Sequence, residues 1–185
     1  MSLQLTPDEI NTAAAILAKL EPGYLPEAIF DQATRLVVTS TVVIVALKQT
    51  PDGPKVLLRM RGDELTNPIW PGHWHLPGTM LRPTDNEGDY SSAFARLLKG
   101  ELGMSDTALS ASLRYVRTAF TQTKRGREMT RIYYMQLPDE PLRGELFPVD
   151  DLPKPIIEHE VGYIQEVANL FAELEDDAAV PALAG

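Results

Sequence analysis

The chain has 185 residues, no cysteine, 44% apolar and 23% charged residues, and a formal net charge of −9. That length suits one domain with a real hydrophobic core, and the balance is that of a globular chain rather than a disordered one. Disulfides, thiolate nucleophiles and Cys-containing zinc sites are excluded by composition.

No apolar run approaches the roughly 20 residues that would cross a bilayer, and the start, MSLQLTPDEI, lacks the basic and apolar segments of a signal peptide. A cytoplasmic location and no membrane partner are the expectations. The charge is uneven: −2 over residues 1–50, +3 over 51–138 and −10 over 139–185. A nucleic-acid face would need clustered Lys and Arg. The mildly basic middle suits a small anionic, phosphate-containing ligand instead.

In chain order, Thr6, Pro7 and Glu9 form a helix start with a Thr-x-x-Glu capping box. Ile10, Ala13, Ala14, Leu17 and Leu20 follow at helical spacing until Pro22-Gly23. A second helix fits Pro26 to Leu36, with Ile29, Phe30 and Ala33 on one face. These two helices, residues 1–37, make an extension that serves as a cap on the main domain or as a homodimer contact. Their apolar stripes should be covered, because an open patch of that size is unusual on a monomer.

The run TVVIVAL, Thr41–Leu47, is apolar on both faces, as a central strand should be. TPDGP turns the chain into a hairpin partner over Lys55–Arg61. A Gly- and Pro-rich loop leads to one short strand over Trp74–Met80. Asp89 caps a helix from Tyr90 to Leu102, closed by Gly103. Strands over Ser112–Thr121 and Thr130–Leu137 flank a basic turn carrying Lys124, Arg125, Arg127 and Glu128. A short strand and exit loop cover Leu146–Pro153. Ile157, Val161, Ile164, Ala168, Phe171 and Leu174 mark a last amphipathic helix, and residues 176–185 read as a flexible tail. The economical division is an extension over 1–37, one α/β domain over 38–175, and the tail.

Residues 71–104, PGHWHLPGTMLRPTDNEGDYSSAFARLLKGELGM, resemble the Nudix family. Members carry a box G-x5-E-x7-R-E-U-x-E-E-x-G-U, with U a bulky aliphatic residue, often after a strand like G-x-W-x-L-P-G. Here Gly72, Trp74, Leu76, Pro77 and Gly78 match the strand, and Arg96, Leu98, Glu101, Gly103 and Met104 match the second half of the box. The resemblance implies an α/β/α sandwich with a mixed sheet. It also implies hydrolysis of a nucleoside diphosphate linked to a group X, with Mg²⁺ or Mn²⁺.

The departures fall on the metal ligands. Hard divalent ions need several oxygen donors, and the box offers carboxylates at helix positions i, i+3 and i+4, which share a face. Those positions are Leu97, Gly100 and Glu101, so two of three carboxylates are missing. Gly100 also costs the helix about 1 kcal/mol relative to Ala. The box glycine falls on Thr79 and the isolated glutamate on Gly88, with Glu87 beside it.

The candidates are therefore Glu101 and Glu87 as catalytic residues, with Glu101, Glu87 and Gly78 holding the metal. Restoring Leu97→Glu and Gly100→Glu should strengthen a metal affinity that is otherwise at most millimolar in order of magnitude. Arg59, Arg61, Trp70 and Arg125 are the candidates for ligand binding, and Arg96 for an ion pair with Glu87 or another acid of residues 85–89. Glu128 is a candidate base from outside the box. Two functions follow: a divergent hydrolase of weak or altered activity, or an inactive Nudix-fold protein binding a nucleotide or a protein partner.

Overall fold

The computed structural model describes residues 5–22, 25–63, 69–86, 89–104, 112–137 and 142–179. Helix α1, Pro7–Leu17, starts at the expected capping box: Glu9 accepts from the Thr6 backbone N–H at 2.8 Å, and Thr6 Oγ1 accepts from that of Glu9. Helix α2, Glu27–Leu36, follows. Strands β1, Val38–Thr50, and β2, Gly53–Met60, form an antiparallel hairpin.

The expected strand over Trp74–Met80 is two strands. β3, Trp74–His75, pairs with β2, whereas β4, Gly78–Met80, pairs with β1. Pro77 between them cannot donate to a ladder, so the chain changes partners there. Helix α3, Ser91–Leu97, passes into a π turn over Leu98–Leu102 that ends at Gly103 with φ 73°. Strands β5, Arg114–Gln122, and β6, Arg127–Gln136, form a second hairpin. Strand β7, Glu145–Pro148, joins β2, and α4 runs from Glu158 to Ala179, into the segment read as a tail.

The sheet runs β3-β2-β1-β6-β5, with β1 and β6 parallel over ten residue pairs and the other pairings antiparallel. Alternate β1 side chains explain why its run is apolar throughout. Val43, Val45 and Leu47 pack toward Ile164, Val167 and Phe171 of α4. Val42, Ile44 and Ala46 pack toward Phe94 and Leu97 of α3 and Leu98 and Leu102 of the π turn. A mixed sheet between two helical layers is an α/β/α sandwich.

The extension meets the sheet at α2, where Thr34 is buried. The α1 stripe is not covered by described residues, since Ile10 and Leu17 stay more than half exposed. No helix among the described residues is long and apolar enough to cross a membrane.

Candidate functional site

The site forms where the edge of β1 changes neighbours. β2 pairs with β1 at residues 47–50 and β4 at residues 41–43, and Ile44 donates to the Pro77 carbonyl in between. Gly78 permits this close approach, because a Cβ there would lie 2.9 Å from Val43 Cγ1. The N-terminus of α4 is tied in by two backbone bonds, from Trp74 to the Pro155 carbonyl and from Ile157 to the Trp74 carbonyl. These ties bring His75, Glu128, His159 and Glu160 around a cavity of about 90 Å³, with Arg61, Trp70 and Arg125 on its wall.

The cavity holds an unusual charge arrangement. The Trp70 ring is buried, with the guanidinium of Arg61 at 5.7 Å and that of Arg125 at 5.2 Å from its centroid. Such cation–π contacts are attractive, but they set two like charges on one ring. Burial lowers the Arg61 pKa and nearby Arg125 lowers it further, partly offset by Glu160, Glu101 and Glu128. An anion between the two arginines would relieve that repulsion.

Glu160 is buried and accepts from the Leu76 backbone N–H at 2.6 Å. Burial pushes its carboxyl up to about 8, against the lowering effect of that bond and of Arg61. At neutral pH it is mostly uncharged, so it subtracts little from the positive field. Burial and Arg61 push His75 down to about 4, leaving it neutral, and its Nδ1–H donates to the Leu76 carbonyl at 2.7 Å. Burial likewise lowers His159.

The turn between β5 and β6 aims Arg125. Thr123 Oγ1 donates to Glu128 at 3.0 Å and accepts from the Arg125 backbone N–H at 3.1 Å. From the other side, Phe30 of α2 lies 5.7 Å from the Arg125 guanidinium. At Gly126, φ is 141°, and an added Cβ would sit 2.4 Å from the Thr34 carbonyl oxygen. The extension is thus packed on the turn that carries Arg125. Gly126→Ala is expected to destabilise the protein by about 2 kcal/mol, the order of one strained backbone position; urea unfolding measures it.

A second cavity of about 480 Å³ is bordered by Trp70, His73, Lys124, Ile156 and His159. Trp70 and His159 border both spaces. With arginines against it, the indole acts as a platform for the cations more than as an open face for a base.

Solved structures share this architecture. The Nudix domain of Shewanella oneidensis NrtR, solved with ADP ribose, matches with a TM-score of 0.60 at 20% identity, over 85% of this chain and 97% of that one. This chain has the Nudix fold. A C. elegans Ap4A hydrolase binary complex matches at 0.55 with 15% identity, over 74% of this chain and 99% of that one. The C-terminal domain of mouse MUTYH, solved with human PCNA, matches at 0.52 with 17% identity, over 80% and 94%. No protein-family model matches the sequence, and neither does any curated protein.

Within the Nudix fold, the box segment is the stretch from β4 through the π turn. Arg96 pairs with Asp85 through both terminal nitrogens, and its Nη2 donates to the Met80 carbonyl at 2.9 Å. This pair ties the loop to β4 and α3, and the bond from Arg96 holds the Asp85 carboxyl below the usual range. Glu87 lies outside the described residues.

Glu101 faces Arg59, with Nε 3.6 Å from its carboxylate. Leu97 is only 1% exposed and belongs to the core around Phe94, Tyr133 and Met135. A glutamate there would be buried among apolar groups, so Leu97→Glu would unfold the core rather than rebuild a metal site. Among the described residues, no three His, Asp or Glu side chains converge as ion ligands. That donor set does not fit a tightly held divalent ion, which needs several oxygens at once.

Of the sequence candidates, Arg61, Trp70, Gly78, Arg125 and Glu128 meet at the 90 Å³ cavity. Arg59 and Glu101 pair with each other, and Arg96, on α3, pairs with Asp85 of the loop. Glu160 escaped the sequence reading. Its signal was its place on the apolar stripe of α4, three residues after Ile157 and four before Ile164.

Proposed function

We propose that this protein is a divergent, cytoplasmic member of the Nudix family that binds a nucleoside-diphosphate-type ligand without hydrolysing it. The observation that carries the proposal is the pair of guanidinium groups, Arg61 and Arg125, held on the buried Trp70 ring beside a largely neutral Glu160. Planar, multi-donor guanidinium groups suit phosphate oxygens. A cavity of about 90 Å³ has room for phosphate and not for a whole nucleotide, so base and sugar would occupy the adjoining 480 Å³ space. ADP ribose in the NrtR Nudix domain is a ligand of that chemistry.

The proposed lack of turnover is supported by the donor set among the described residues. Water attack on a diphosphate needs cations that neutralise charge and lower the pKa of water. Buried Leu97, side-chain-free Gly100 and Arg59-facing Glu101 do not assemble such a site. Titrating ADP-ribose into the protein in EDTA should give binding, and incubation with Mg²⁺ or Mn²⁺ should leave the nucleotide intact by chromatography. Metal-dependent cleavage abolished by Glu101→Gln would instead assign a divergent hydrolase. No binding at all would remove the ligand class.

A further inference from the structure

We infer that the group beyond the diphosphate is apolar and occupies a groove between the N-terminal extension and β4, an inference that rests on the binding reading above. The groove has a volume of about 750 Å³ and is walled by Leu17, Leu20, Leu25 and Phe30 on one side and Met80 and Leu81 on the other. That volume lies within the range of small-molecule sites, which are mostly apolar with a few polar groups for orientation. Here the polar groups are Glu21, Glu27, Thr79 and Arg82.

Two features join the groove to the phosphate cavity. Thr79 and Met80 of β4 line both. Phe30, part of the groove wall, is also the ring that lies against Arg125. A chain leaving a phosphate held by Arg125 therefore passes over β4 directly into apolar surroundings. The occupant is a single aliphatic chain on a soluble nucleotide, not a bilayer. A net charge of −9, with Glu21 and Glu27 on the groove wall, is repelled by an anionic lipid surface. The ligand class is thus a nucleoside diphosphate esterified with an apolar alcohol.

The test compares ADP with its β-phosphate n-octyl ester by calorimetry on the full chain. Each buried methylene contributes enough that two of them give about a tenfold gain, so octyl-ADP should bind at least tenfold tighter than ADP. Leu25→Gln and, separately, Leu20→Gln should remove most of that gain while leaving the affinity for ADP unchanged. A folded Leu20→Gln protein serves if Leu25→Gln does not fold. Equal affinities for ADP and octyl-ADP would overturn the apolar group and leave the binding reading standing. A gain that survives both substitutions would overturn the groove as its place, and co-sedimentation with phosphatidylglycerol vesicles at the affinity of octyl-ADP would overturn the soluble occupant. Failure of ADP and ADP-ribose to bind would overturn the reading on which the inference rests.

Discussion

Replacing Arg61 and Arg125 together with Ala is expected to weaken ADP-ribose binding by about 100-fold or more, since each hydrogen bond to a charged group contributes about 1.5–3 kcal/mol. Both guanidinium groups sit on one ring, so either single replacement also relieves the repulsion that the other feels. The single losses should therefore sum to something other than the double loss, as coupled neighbours do. Arg125→Lys should recover only part of the affinity, because an ammonium keeps the charge but loses the planar fork and the stacking. Calorimetry on the parent and the four variants decides the matter. A double variant that binds within threefold of the parent would place the phosphate elsewhere.

Glu160→Gln is expected to change how stability depends on pH. In the native protein this carboxyl titrates at about 8, against an ordinary 4.5. Between those values the folded state holds a proton that the unfolded state has released, so stability falls as pH rises. His75 acts in the opposite sense: its pKa falls from 6.5 to about 4, so stability rises with pH across that interval. His159, also lowered, adds to the same side. The opposing groups offset each other below about 6.5, and from there to about 8 Glu160 acts alone.

The parent should therefore lose stability between pH 6.5 and 8, with a slope of at most about 1.4 kcal/mol per pH unit for one proton. Gln keeps an oxygen to accept from the Leu76 N–H but has no proton to lose. The variant should match the parent near pH 4.5, exceed it by pH 6 and exceed it further at pH 8, as followed by urea unfolding. A parent curve that is flat over this interval would mean that Glu160 is ionised in the native state.

Elements set by local pattern were legible in the sequence. The capping box at Thr6, the doubly apolar run of β1 and the hairpin turn before β2 each carry their cause within a few residues. Partner choice was not, because it depends on distant chain. Trp74 and Met80 read as one strand, yet β3 and β4 belong to different neighbours.

The candidate site divides the same way. Arg61, Trp70 and Arg125 were named singly, but nothing local says that residues up to 64 positions apart share one ring. Leu97 was read by box position as a missing ligand. Its helical spacing with Ala93 and Phe94 marks it equally as core, and burial decides for the core. Glu160 went unread, although an acid on an apolar stripe is a local conflict of the kind that accompanies functional sites.

The central position of β1 has a consequence for how the chain is made. Residues 38–47 are made well before their parallel partner, residues 127–136, which follows about 90 residues later. Only the edge toward β2 can pair at once. Until β6 arrives, the other edge of a β-branched, uncharged run is open, and such runs pair readily with other chains. Closing so long a loop before any contact rewards it makes the β1–β6 union the slow step of folding. Lys48 and Lys55, which face each other across the β1–β2 hairpin, place like charges at the end of that run and discourage stacking of nascent copies.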